Sequence, residues 1–209
     1  MDHIDCVYYI NLDHREDRRV SFLKEMEKLD VPPSKIQRVP GIYNKGFGIL
    51  GCGLSHKKAL ETFMTSTHRN CLIFEDDFVF TLDMNYVHYQ FKSLFEDRVP
   101  YDLVMLAGNL FKTEDAEQPY LKRVLDGQTA SGFLITREFA PQLIQCLTES
   151  TRLLDEWHQT FGEKKHEYCN DIYWKKLQPI SRWYIFHAKQ GIQQESYSDN
   201  EYKVTNYGV

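Results

Sequence analysis

No stretch of this sequence stays apolar long enough to cross a bilayer as a helix; its apolar runs are of strand length. Basic charge is not in excess either, since 25 Lys and Arg face 30 Asp and Glu for a formal net charge of -5. There is thus no general field to hold nucleic acid or an anionic membrane, and an anionic ligand needs a local site. Five cysteines (Cys6, Cys52, Cys71, Cys146 and Cys169) are odd in number and never spaced C-x-x-C. That argues against a disulfide framework and against a Cys-ligated zinc. The sequence also lacks G-x-S-x-G, H-E-x-x-H and G-x-x-x-x-G-K-[ST], the common signatures of hydrolases and phosphate-binding loops. Its amino end, MDHIDCVYYINLDHRED, places acids where a signal peptide needs basic residues. The expectation is a cytoplasmic protein without signal peptide or transmembrane segment, of bacterial or viral source.

What is present is a foldable chain. Aromatic residues make up 14% of the 209 positions, too many large apolar groups for a disordered polymer and enough for one sizeable core. Cys6 to Leu12 (CVYYINL) reads as a buried strand, and Val20, Leu23, Met26 and Leu29 then recur at helical spacing until Val31-Pro32-Pro33 stops them. Lys35 to Val39 reads as a short strand, and the glycines from Gly46 to Gly53 as a loop. A second helix opens near Ser55 and ends before Asn70. The run CLIF from Cys71 is a buried strand ending in acids; Tyr86 to Phe95 is helical; Asp102 to Gly108 and Ser131 to Thr136 are strands, with a loop over Lys112 to Gln118 between them. Two helices, Glu138 to Leu147 and Asp155 to His166, a short amphipathic helix from Asp171 to Leu177 and a strand from Arg182 to Phe186 follow. The alternation predicts a single α/β domain over residues 1–209, with a mainly parallel central sheet flanked by helices.

The chemistry concentrates at Glu75-Asp76-Asp77. Adjacent carboxylates repel, and at the carboxyl end of a buried strand they ask for a cation or solvent to take up their charge. If Glu75 and Asp77 face one way, alternation turns Asp76 to the other, and the pair can hold Mg²⁺ or Mn²⁺ through oxygen. A solvated acidic turn is the simpler alternative. Arg15, Arg18 and Arg19 either clamp a phosphate or decorate a helix start, and the Gly46–His56 segment is a phosphate cradle or an ordinary loop. His56 is a base, a ligand, or a capping or core group. Asp171 is a general base or a helix cap.

Seven segments, VYYINLDHREDRR, GCGLSHKKALE, LIFEDD, DLVMLAGN, TASGFLIT, NDIYWKKLQ and QQESYSD, occur in an order that resembles glycosyltransferase family 25, the lipopolysaccharide-biosynthesis and procollagen galactosyltransferase family. The resemblance implies a GT-A-like fold, a nucleotide-sugar donor and a cation at a D-x-D-like motif. In that reading Glu75 and Asp77 hold Mn²⁺ or Mg²⁺. Asn11, Leu12, Arg15, Ser55, His56, Glu75, Asp76, Gly108, Asn109, Thr129, Ser131, Gln194, Ser198 and Asp199 border a UDP-sugar or its sugar pocket, the polar segment 190–209 contributes to or covers the donor site, and Asp171 is the acceptor base. Asp155 competes with Asp171 for that role, and His187 is a candidate to complete the metal shell. The implied reaction is inverting transfer of galactose or glucose to a hydroxyl of a glycan, lipid-linked or protein acceptor. A nucleotide-sugar-binding module without turnover and a metal-dependent phosphoesterase are the alternatives.

Overall fold

The computed structural model describes residues 1–194, 196–198 and 203–205, the last two segments by their backbone. Its elements run β1 (Cys6–Asn11), α1 (Glu16–Lys28), β2 (Ile36–Pro40), α2 (Gly48–Thr65), β3 (Asn70–Glu75), β4 (Phe78–Phe80), α3 (Met84–Glu96), β5 (Leu103–Met105), β6 (Asn109–Asp115), β7 (Leu121–Gln128), β8 (Gly132–Thr136), α4 (Ala140–Phe161), a one-turn α5 (Asn170–Tyr173), β9 (Trp183–Phe186) and β10 (Gly191–Gln193). Eight strands form one sheet in the order β2-β1-β3-β8-β5-β9-β7-β6. Pairing is parallel at β2-β1-β3 and β5-β9, and antiparallel elsewhere, so the sheet is mixed.

Strands β1 and β3 are apolar on both faces because helices cover both faces. On one side Tyr8 and Ile73 pack with Leu60 and Phe63 of α2 and Leu143 and Leu147 of α4. On the other, Tyr9 and Phe74 pack with Phe22 and Met26 of α1 and Phe91 and Leu94 of α3. Strand alternation sends successive residues into the two cores. The sandwich places the carboxyl ends of β1 and β3 side by side, with Ile10 opposite Glu75.

Four expectations need correction. The glycine-rich segment is a loop only at its head: Gly46 lies in a turn, and α2 begins at Gly48, seven residues before Ser55. Two of the helical glycines serve close packing, since a Cβ on Gly51 would lie 2.3 Å from the Ile42 carbonyl oxygen and one on Gly53 2.9 Å from Thr151 Cγ2. Lys112 to Gln118 is not all loop, because β6 extends to Asp115 in a hairpin with β7. As an edge strand exposed along most of its length, β6 carries none of the alternation by which buried strands are read. The two helices expected over 138–166 are one, closed by Gly162 at φ 71° in the left-handed region favoured at a helix end. The helix expected over 171–177 is one turn of α-helix followed by a 3₁₀ stretch, Trp174–Ile180, which ends just after Pro179.

Asp102 clips β5 to β9. Its Oδ2 accepts from the Arg182 backbone N–H at 2.7 Å, and its Oδ1 accepts from Arg182 Nε at 3.2 Å and from the terminal guanidinium nitrogen. Burial opposes its ionisation, but the Arg182 contacts prevail and hold the carboxyl below its usual range. A depressed folded-state pKa stabilises the fold above the ordinary carboxylate range and ceases to do so as pH falls through the folded value. Asp102→Asn is therefore expected to cost about 1–3 kcal/mol in urea unfolding at neutral pH, with the two proteins converging in acid.

Candidate active site

Asp76 and Asp77 lie in the tight turn between β3 and β4, and a second strand pins that turn from the far end of the chain. Strand β10 pairs antiparallel with β4, Gln193 standing opposite Phe78, and the Gln194 N–H donates to the Asp77 carbonyl at 2.8 Å. The three carboxylates are then held individually. Asn11, buried at the end of β1, donates from Nδ2 to Asp76 Oδ2 at 2.6 Å. Arg18, from the first turns of α1, reaches Asp76 Oδ1 at 3.1 Å and Asp77 Oδ2 at 2.9 Å. The Gln193 amide donates to both Glu75 Oε2 (3.1 Å) and Asp77 Oδ2 (3.2 Å). On its other side Glu75 Oε1 meets His56 Nε2 at 2.8 Å and the Cys52 thiol at 3.6 Å, both from α2.

The electrostatics follow from this wiring. Burial resists the charge on Glu75, but His56, Arg18 and Cys52 outweigh it and keep that carboxyl low. Burial, with Glu75 beside it, pushes Asp77 up to about 7 against the pull of Arg18. Burial also raises Asp76, with Arg18 and Asn11 opposing. One guanidinium thus does not balance three acids, and Asp77 bears the deficit. Asp77 Oδ1 is buried with no hydrogen-bond partner among the described residues. An orphaned, buried carboxylate oxygen in a turn that carries three acids fits a hard divalent cation.

Two cavities meet at this cluster. The first is lined by Leu12, Arg15 and Arg18, by the 41–44 loop, and by Ser55 and His56 of α2. The second is lined by Asn109, Thr129, Lys164, His166 and Asp171. Cys52, Glu75 and Gln193 line both and form the wall between them. In the second cavity Asp171 Oδ2 accepts from the Thr129 N–H at 3.1 Å. Burial raises the Asp171 carboxyl, the Thr129 N–H lowers it, and Glu75 raises it further. Thr129 adopts φ 91°, a strained conformation for a β-branched residue that is tolerated where surrounding structure imposes it.

The residues expected at a site distribute as follows. Leu12, Arg15, Ser55, His56, Glu75, Asp76 and Asp77 line the first cavity, and Asn109, Thr129 and Asp171 the second. Asn11 lies behind the acids as a holder of Asp76. Ser55 braces the first cavity's wall, accepting from the Ile42 N–H and donating to the Gly51 carbonyl. Gly108 packs against Gln128, whose carbonyl a Cβ would meet at 2.9 Å. Ser131 is fully buried, and its carbonyl accepts from the Glu75 N–H. Gln194 is exposed and joins the turn through its backbone. Asp155, bonded to Gln159 on α4, and His187, whose N–H donates to the Tyr120 carbonyl, line neither cavity. The Ser198 side chain and Asp199 lie outside the described residues. Cys52 was not singled out as a site residue from the sequence, and Gln193 was expected there only as part of the 190–209 segment. Cys52 stands four residues before His56, a spacing that signals a shared helix face only once that segment is known to be helical.

The 41–44 loop depends on Gly51. Because the obstructing atom is backbone, Gly51→Ala is expected to destabilise the protein by about 1–3 kcal/mol, measured by urea unfolding, and to disorder the first cavity's wall.

No family model and no curated protein matches the chain. Among solved structures it is similar to A197 from STIV, at 13% identity over 99% of this chain and 96% of that one, with a TM-score of 0.51. It is also similar to a glycosyltransferase involved in the glycosylation of the major capsid of PBCV-1 (9% identity, 86% of this chain and 81% of that one, TM-score 0.45). A third similar structure is the glycosyltransferase GlyE of Streptococcus pneumoniae TIGR4 (12%, 88% and 45%, 0.47). The likeness to A197 shows a shared α/β fold and nothing of the chemistry, and the other two are too distant to bear on it. No helix among the described residues is long and apolar enough to cross a membrane.

Proposed function

We propose that this chain is a metal-dependent, inverting glycosyltransferase of the family 25 type. It takes galactose or glucose from a nucleotide-sugar, in the first instance a UDP-sugar, and delivers it to a hydroxyl of a glycan, lipid-linked or protein acceptor. One observation carries the reading: a cavity with two arginines and the acidic turn abuts, across the single wall of Cys52, Glu75 and Gln193, a cavity containing a half-buried aspartate. A donor and an acceptor need that adjacency, because the hydroxyl must approach the anomeric carbon from the side opposite the leaving diphosphate.

Each residue then has a task. Arg15 and Arg18 line the cavity assigned to the donor and favour its phosphates there. Asn11 and Arg18 fix Asp76, which sets the orientation of the turn. Glu75 and Asp77 would hold Mn²⁺ or Mg²⁺, which when bound offsets the charge on the departing diphosphate. Asp171, kept in place by the Thr129 N–H, accepts the acceptor hydroxyl's proton, and its raised pKa makes it a better base than an ordinary surface carboxylate.

A screen of UDP-, GDP- and CMP-sugars with and without Mn²⁺ tests the proposal. One nucleotide-sugar is expected to raise the melting temperature in the presence of Mn²⁺, by about 2.7 kcal/mol of stabilisation at a hundredfold excess over Kd, and to be slowly hydrolysed. Nucleotide breakdown at a rate indifferent to the sugar would point to a phosphoesterase, and stabilisation without any turnover to a binding module.

A further inference from the structure

Glu75 divides its carboxylate between two different donor sets. Oε2 faces the amide of Gln193, which also holds Asp77, while Oε1 faces an imidazole and a thiol. Cys52 and His56 stand at i and i+4 on α2, so helical geometry places both side chains on one face, toward the end of β3. Ligand atoms of Cys52, His56 and Glu75 all lie within 4.8 Å of one another. This spacing escapes a search for C-x-x-C, which is why the sequence argued against a Cys-ligated metal.

We propose that Cys52, His56 and Glu75 form a second cation site, selective for Zn²⁺ or a similar thiophilic transition metal, back to back with the oxygen-donor site on the same carboxylate. A sulfur, nitrogen and oxygen donor set suits borderline and soft cations, whereas Mg²⁺ and Mn²⁺ prefer oxygen alone. Three protein ligands leave a coordination position open, unlike the closed four-ligand shell of a structural zinc. Binding exchanges the thiol proton, released to solvent, for the metal. His56 is buried, whereas Cys52 and Glu75 line both cavities and give a cation access from either.

The consequence is coupling. A thiophilic cation on Oε1 and a hard cation on Oε2 compete for the electron density of one carboxylate, so Zn²⁺ weakens occupancy of the neighbouring site. The proposal stands whether or not the chain transfers sugar, because it rests on the α2 and β3 ligands alone.

Co²⁺ serves as an optical probe of the intact protein. One equivalent is expected to give a thiolate-to-cobalt charge-transfer band that Zn²⁺ abolishes and Mg²⁺ leaves in place. Cys52→Ser is expected to remove the band, His56→Gln to weaken Co²⁺ binding at least about tenfold, and Asp77→Asn to retain the band. A second measurement needs no variant. Cys52 is half-buried whereas Cys6, Cys71, Cys146 and Cys169 are buried, so alkylation favours it, and Zn²⁺ is expected to slow that reaction at least about tenfold relative to Mg²⁺. Absence of the band at saturating Co²⁺, its persistence in Cys52→Ser, or equal alkylation rates with Zn²⁺ and Mg²⁺ would overturn the site. None of these readouts involves a nucleotide-sugar, so failure here and failure of the glycosyltransferase reading are separate results.

Discussion

Asp77→Asn is expected to abolish Mn²⁺ binding and to lower sugar transfer about a thousandfold or more, the loss of several kcal/mol of charge stabilisation at the leaving group. The substitution keeps the shape of the side chain while removing a carboxyl whose pKa burial and Glu75 already push up to about 7. Arg18 retains Asp76 as a partner, at 3.1 Å, so the turn keeps its anchor. The melting temperature without metal is therefore expected to hold or to rise. Mn²⁺ binding followed by electron paramagnetic resonance, alongside turnover, gives the answer. Wild-type turnover in this variant would remove the cation from the mechanism and leave Arg15 and Arg18 to carry the diphosphate charge alone.

Asp171→Asn is expected to reduce kcat by about 10²–10⁴ with donor affinity unchanged. The two effects separate because Asp171 lies on the far side of the wall from the arginines. An asparagine oxygen still accepts from the Thr129 N–H, which spans 3.1 Å to Asp171, so local geometry survives while basicity is lost. Nucleotide-sugar binding by calorimetry and kcat from product release form the two arms. A parallel fall in donor affinity, or an unchanged kcat, would show that Asp171 shapes the cavity and does not accept the proton.

The buried strands were legible because they are apolar on both faces and bounded by charge: CVYYIN and NCLIFE are where the sequence placed them, to within a residue or two. Helix α1 was legible from its apolar spacing. The hairpin of β6 and β7 was not, since an edge exposed along most of its length has no reason to alternate. Nor was the early start of α2, because glycine reads as a breaker in isolation, and only the proximity of the Ile42 carbonyl shows why Gly51 sits inside a helix. The acidic turn announced itself as three carboxylates at a strand end. Its wiring did not: Asn11, Arg18, Cys52, His56 and Gln193 lie between about twenty and nearly 120 residues away, and no local pattern ties them to it.

By itself, the sequence determined an α/β chain, the order of its main buried strands and a carboxylate cluster in need of a cation, because those depend on hydrophobic periodicity and on charge density along a few neighbouring residues. Only the tertiary structure decided that the sheet is mixed, that Asp171 stands one wall away from the acids, and that Glu75 turns its two oxygens to different partners. Those are properties of chain closure: contacts between residues far apart in sequence are selected by the packing of whole elements, and that packing is encoded in no single segment.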